Sequence, residues 1–171
     1  WGKIVSKMEF ESITDATVSI DKAITERERI RSEGKTFVLT NGCFDLFHAG
    51  HANSLINASK FGDYLWVAIN SDESIGRLKG KMRPIIKQSA RSYLVQSLEC
   101  VSGVFFFETD RLTNEILQLK PDIYVKSDDY SFESINPEER AALLQVHSSV
   151  KFVPLISGFS TTDIISMIKK S

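Results

Sequence analysis

The sequence predicts a doubly wound, Rossmann-like α/β domain with a five-stranded parallel sheet flanked by helices. Three observations carry this reading. Short apolar segments alternate with charged or amphipathic ones along most of the chain, as in repeated strand–helix units with right-handed crossovers. The apolar segments are apolar almost throughout, which suits strands covered on both faces and hence paired in parallel. A stretch dense in glycine and polar residues follows the first of them, and in such sheets ligands bind beyond the carboxyl ends of the strands.

The elements follow in order. Residues 19–33 (SIDKAITERERIRSE) are charged and mildly periodic and precede Gly34, so they read as a surface helix with a glycine stop. Thr36 to Leu39 is a short buried strand. Ala52 to Lys60 has apolar residues at helical spacing, and Gly62 closes it. Tyr64 to Ile69 (YLWVAI) is the second strand. Residues 76–87 (GRLKGKMRPIIK) read as a basic loop and residues 89–99 as a helix. Gly103 to Phe107 is the third strand, residues 111–119 a helix stopped by Pro121, and Asp122 to Val125 the fourth strand. Pro137 opens a helix that runs to Val146, as proline does at a first helical position. Val150 to Val153 is the fifth strand, and Ser160 to Lys169 the last helix.

Composition narrows the function classes. A chain of 171 residues suits one domain with a real core. Its apolar runs are too short to span a bilayer, and no secretory signal pattern is visible. The net charge of −1 argues against a large nucleic-acid surface. Cys43 and Cys100 match no zinc or redox spacing. The chain opens on Trp1 rather than Met, which leaves room for an upstream segment.

Residues 40–51, TNGCFDLFHAGH, hold the densest chemistry. Gly42 allows backbone conformations or close approaches that a side chain blocks. Gly50 lies where a helix begins, and exposed N–H groups there favour phosphate. His48 and His51 share one face if that turn is helical. A zinc site needs further ligands, and His147 sits far along the chain. Satisfaction of local backbone groups accounts for one histidine better than for two around a glycine. As phosphate donors, both act on charge that grows during phosphoryl or nucleotidyl transfer.

Thr40-Asn41-Gly42-Cys43-Phe44-Asp45 followed by His48-Ala49-Gly50-His51 resembles the HxGH signature of the nucleotidylyltransferase superfamily. The longer string is most similar to the heptose 1-phosphate adenylyltransferases, the transferase half of bacterial ADP-heptose synthases. The resemblance continues through Asn70-Ser71-Asp72, Arg77-Leu78-Lys79-Gly80, Arg83-Pro84-Ile85, Arg91, Pro121 to Lys126, and Ser160-Thr161-Thr162, covering roughly residues 36–169. It divides the chain into an N-terminal helical extension, 1–35, and a nucleotidylyltransferase domain, 36–171.

The resemblance implies that the phosphate of a sugar 1-phosphate attacks the α-phosphorus of a nucleoside triphosphate, releasing pyrophosphate. No protein nucleophile is needed. The protein must align two polyanions and stabilise crowded negative charge. His48, His51 and Lys79 are the implied catalytic residues. Thr40, Asn41, Gly42, Phe44, Gly50, Ser160, Thr161 and Thr162 join the histidines around the nucleotide. Asp45, Asn70, Asp72, Arg77, Arg83, Arg91, Lys126 and Asp129 are the implied substrate-binding set. Ser160 and Asp163 also fit a helix capping box, compatible with a phosphate site. Mg²⁺ is implied with ATP or CTP, and Asp45 and Asp72 are placed plausibly for it, as they are for ribose or a turn.

Two departures bear on the acceptor. The family's Lys-Gly-Gly-Asp-Tyr reads Lys126-Ser127-Asp128-Asp129-Tyr130 here, which puts bulk and negative charge beside the expected sugar-phosphate pocket. Residues 86–90 (IKQSA) lack the usual proline and acidic residues. The heptose phosphate is the expected acceptor. A cytidylyltransferase using CTP and a phosphorylated alcohol is the sister reading, and a non-catalytic nucleotide-binding domain is the reading from another class. A cytoplasmic site, no nucleic-acid or membrane partner, a homodimer and a sugar kinase acting upstream complete the expectations.

Overall fold

The computed structural model describes residues 17–156 and 158–170. Its twelve elements are α1 (Ile20–Ser32), β1 (Phe37–Gly42), α2 (Ala49–Ser59), β2 (Tyr64–Asn70), α3 (Asp72–Lys79), α4 (Gln88–Gln96), β3 (Gly103–Phe107), α5 (Thr113–Leu119), β4 (Ile123–Ser127), α6 (Pro137–Gln145), β5 (Ser149–Val153) and α7 (Thr161–Lys170). The five strands are parallel, in the order β3-β2-β1-β4-β5. The chain winds outward from β1 through β2 to β3, then returns to lay β4 on the other side of β1. The switch point therefore lies between β1 and β4, where their carboxyl ends part.

Alternation along the strands explains the continuous apolar runs. Phe37, Leu39, Trp66, Ala68, Phe105 and Phe107 face one core with Ala23 and Ile30 of α1, Ile116 and Leu119 of α5, and Ala142 and Leu143 of α6. Val38, Leu65, Val67, Ile69 and Val104 face the other with Leu55 and Ala58 of α2 and Val95 of α4. Both faces of the sheet are covered, as the apolar strands require.

The expected N-terminal extension, 1–35, contributes α1 to the packing against the sheet. Helix α1 carries Ala23 and Ile30 into the first core, and its Arg27, 2% exposed, donates to Asp122 Oδ1 (2.7 Å) and to the carbonyls of Leu119 and Lys120. Val18 bridges Phe105 at the edge of the sheet. The rest of the expected extension, residues 1–16, lies outside the described residues. No helix among the described residues is long and apolar enough to cross a membrane.

Several expected boundaries move, three of them beside the carboxyl ends of β1 and β2. β1 continues to Gly42 rather than stopping at Leu39, so Thr40 and Asn41 belong to the strand. α2 begins at Ala49, three residues early, with His48 as its N-cap. The first part of the expected basic loop, Gly76 to Lys79, lies in α3, whose N-cap Ser71 accepts from the Ser74 N–H at 3.2 Å. Gly80, at φ 96°, stops that helix in a conformation that side chains resist.

Candidate active site

A cavity of about 820 Å³ opens at the carboxyl ends of β1 and β4. Helix α2 and the start of α7 line one part of it. The end of α3, the loop after β3 and the segment from β4 to α6 line the rest.

The histidine pair forms at the mouth of α2. His48 has an extended backbone, and its Nδ1 accepts the His51 N–H at 3.3 Å. An accepting Nδ1 leaves the proton of the neutral ring on Nε2, ready to donate to a ligand. The two rings stack with centroids 3.8 Å apart, and Phe44 and Phe47 flank His51 at 5.4 and 5.6 Å. Gly50 makes this packing possible. A Cβ there meets His48 Cε1 and Nδ1 at 3.0 Å and the Cβ of Phe159 at 3.2 Å. Gly42 serves in the same way, because a Cβ meets the Phe44 ring at 3.0 Å. The left-handed backbone belongs instead to Phe44 (φ 51°) and Leu46 (φ 52°), on either side of Asp45.

Burial, and then the neighbouring His48, push the His51 pKa down to about 4, with Asp45 opposing weakly. Burial also lowers His48. Both rings are therefore neutral at pH 7. His51 Nδ1 is buried and has no hydrogen-bond partner among the described residues. Such an atom is costly to leave unsatisfied, and a ligand oxygen or proton removes that cost.

Asp45 is a structural knot. Its carboxylate accepts from the backbone N–H groups of Ile85 (2.9 Å) and Ile86 (2.9 Å) and from Arg83 Nε (2.6 Å). Despite burial, those donors hold its pKa below the usual carboxylate range. Its carbonyl accepts from Thr161 Oγ1 at 2.9 Å. One residue thus fixes the loop before α4, the Arg83 side chain and the first residue of α7. Half of the expected capping box forms at α7: Ser160 Oγ accepts the Asp163 N–H at 3.0 Å, while the Asp163 carboxylate accepts from the Ser160 hydroxyl at 2.8 Å. Ser160, Thr161 and Thr162 all line the cavity.

Beneath the cavity, β1 and β4 are cross-linked. Thr40 Oγ1 donates to the Val125 carbonyl (2.9 Å), and Asn41 Oδ1 accepts from Tyr124 OH and Lys126 Nζ, both at 2.8 Å. The Lys126 ammonium also lies 5.4 Å from the Tyr124 and Tyr130 ring centroids. Burial lowers its pKa. Asn70 lines the cavity and is held by Ser74 and Cys43.

Most of the residues expected from sequence meet here: Thr40, Asn41, Gly42, Phe44, Asp45, His48, Gly50, His51, Asn70, Lys79, Arg83, Lys126, Asp129, Ser160, Thr161 and Thr162 all line the cavity. Three do not. Arg91 is fully buried and donates to the carbonyls of Ile86, Cys43 and Asn70 and to Asp72 Oδ1 (2.9 Å), so it clamps the floor and offers nothing to a substrate. Asp72 is its partner. Arg77 turns away to Asp110 (2.8 Å) and the Glu108 carbonyl, in a separate shallow recess of about 440 Å³. Of the two residues that replace the family's glycines, Ser127 lines the cavity and Asp128 does not. Neither has a left-handed backbone. Asp128 Oδ1 accepts the Leu155 N–H at 3.0 Å and holds the loop before α7, so its charge does not line the cavity.

The sequence reading missed Arg111, Tyr130, Asn136 and Glu139, which all line the cavity. Arg111 follows β3, and the other three follow β4. The rule that ligands gather beyond strand ends marks both loops. The described residues build no cage for Mg²⁺: no cluster of three or more His, Cys, Asp or Glu side chains suits a metal, and Asp45 and Asp72 are already engaged.

The cytidylyltransferase-like family model matches residues 39–167, from β1 through most of α7. The chain belongs to the cytidylyltransferase-like family. Membership places it among the nucleotidyltransferases. It is 39% identical over 170 residues to the bifunctional protein HldE of Campylobacter fetus subsp. fetus, covering 99% of this chain and 35% of that protein. It is 44% identical over 147 residues to the bifunctional protein HldE of Pectobacterium atrosepticum, covering 84% and 30%. The chain thus spans about a third of the length of these curated relatives. A crystal structure of the lipopolysaccharide core biosynthesis protein from Thermoplasma volcanium superposes with a TM-score of 0.58 at 27% identity, covering 72% of this chain and 98% of that one.

Proposed function

We propose that this cytidylyltransferase-like domain transfers AMP from ATP to a sugar 1-phosphate, D-glycero-D-manno-heptose 1-phosphate being the expected acceptor. Pyrophosphate leaves and an ADP-sugar forms. The stacked, neutral histidine pair at the start of α2, with an unpartnered buried Nδ1, is the observation that carries this reading. An acceptor phosphate oxygen attacks the α-phosphorus, and the bond to the bridging oxygen of pyrophosphate breaks. His48 Nε2–H donates to the triphosphate. Approaching negative charge raises both imidazole pKa values, and His51, whose Nδ1 has no partner among the described residues, is the ring free to gain a proton as the polyanion binds. Lys79, exposed at the end of α3, and Arg83 add charge, and the hydroxyls of Ser160, Thr161 and Thr162 border the nucleotide. A triphosphate donor fits a cytoplasmic enzyme, and a sugar kinase fits the upstream step.

The test is pyrophosphate release with ATP or CTP against a panel of sugar 1-phosphates and alcohol phosphates. ATP with a sugar 1-phosphate is expected to turn over. Turnover with CTP alone overturns the adenylyl assignment. His48→Ala and His51→Ala are expected to lower kcat by about a hundredfold or more while the fold persists, on the scale of losing a transition-state donor. Misfolding of both variants instead assigns the pair a structural role.

A further inference from the structure

Away from the histidines, the cavity wall has a charge pattern of its own. The loop between β3 and α5 is fixed on both sides of Arg111. Thr109 Oγ1 donates to the Arg111 carbonyl (2.6 Å), the Thr109 carbonyl accepts from Ser74 Oγ (2.9 Å), and the Leu112 N–H donates to Glu139 Oε1 (2.9 Å). The backbone is thus held while the side chain stays exposed at the rim. Two arginines line the cavity, and they differ. Arg83 is paired with Asp45 at 2.6 Å. Arg111 has no carboxylate within ion-pair distance among the described residues, and its Nη1 reaches only the Asp110 carbonyl, at 3.3 Å. Arg77, nearby, is neutralised by that same Asp110.

Lys126 faces the same space and also has no carboxylate in ion-pair range among the described residues. Arg111 and Lys126 line one cavity with Glu139 and Asp129, neither carboxylate in ion-pair contact with either cation. An anion that reaches both cations gains from both, and the two carboxylates oppose it unless they take up hydroxyls. Around them stand Asp129, Asn136, Ser134 and Tyr130. Carboxylate and amide groups suit sugar hydroxyls, and the 43% exposed Tyr130 ring offers a face to a pyranose.

We propose that Arg111, standing beside the Lys126 and Asp129 that the family resemblance already implies, binds the phosphate of the acceptor and so selects a phosphorylated polyol. This rests on the transfer reading above for its role, but not for its test.

The experiment measures binding without turnover. Wild-type protein and the Arg111→Gln and Arg111→Lys variants are saturated with a non-hydrolysable α,β-methylene ATP, or the matching CTP analogue. Each is then titrated calorimetrically with mannose 1-phosphate, glycerol 3-phosphate and inorganic phosphate. A sugar phosphate is expected to bind wild type more tightly than inorganic phosphate does. Arg111→Gln is expected to weaken it about tenfold or more, the scale of one charge-assisted hydrogen bond, and Arg111→Lys to recover part of the loss. Affinity for the nucleotide analogue is expected to change less than about twofold. Arg111 is exposed, so thermal melting should show intact folds. Equal affinity in wild type and Arg111→Gln overturns the proposal, as does a matching loss of nucleotide affinity or a failure of all three phosphates to bind wild type. Arg111-dependent binding without turnover of any substrate pair upholds the subsite and overturns the transfer reading instead.

Discussion

Replacing His51 by Gln tests the electrostatics of the histidine pair through the stability of the fold. In the unfolded chain this ring titrates at its ordinary 6.5, and in the folded protein burial and His48 hold it down to about 4. Below pH 6.5 the unfolded state takes up a proton that the folded state refuses. Stability is therefore full above that pH and drains away as pH falls toward 4, the direction linkage requires when the unfolded chain binds more protons. At about 1.4 kcal/mol per pH unit, His51 alone removes about 2 kcal/mol between pH 7 and pH 5, and about 3 kcal/mol once pH 4 is reached. Urea unfolding at pH 7 and pH 5, followed by the fluorescence of buried Trp66, measures this. Carboxylates titrate alike in wild type and His51→Gln, so their contribution cancels. Wild type is expected to lose about 2 kcal/mol more than the variant over that interval. Equal losses in the two proteins refute the neutral, desolvated ring.

The same electrostatics predict that triphosphate binding near pH 7 takes up protons, seen as a binding enthalpy that changes with the ionisation enthalpy of the buffer; no buffer dependence counts against it. Gly50→Ala places a methyl 3.0 Å from the His48 ring, so kcat should fall by an order of magnitude or more, at about 1–3 kcal/mol in stability by chemical denaturation. Arg91→Met strands Asp72 and three carbonyls and should cost about 3–5 kcal/mol, read as a large drop in Tm. Asp128→Gly should leave turnover within about twofold, since its carboxylate holds only the loop at Leu155; a large loss returns that charge to the acceptor site.

The fold was legible because both sheet faces are buried, which gives YLWVAI and GVFFF an unbroken apolar signature. Helix α3 was not, because Asp72 to Lys79 is a single short helix rich in charge, and its glycine, arginine and lysine resemble a loop. The histidine wall of the cavity was legible in the spacing of two histidines about a glycine. The arginines were not: Arg77, Arg83, Arg91 and Arg111 carry the same side chain, and only the carboxylates that folding brings to three of them, Asp110, Asp45 and Asp72, set them apart. Those partners lie 19 to 38 residues away, beyond the reach of any local pattern.

The bond from Thr161 to the Asp45 carbonyl spans 116 residues of chain. It joins the last helix to the loop that presents the histidines. A single long-range contact therefore ties the wall formed by Ser160, Thr161 and Thr162 to the loop beside the histidines, so a break there would open that side of the cavity to water.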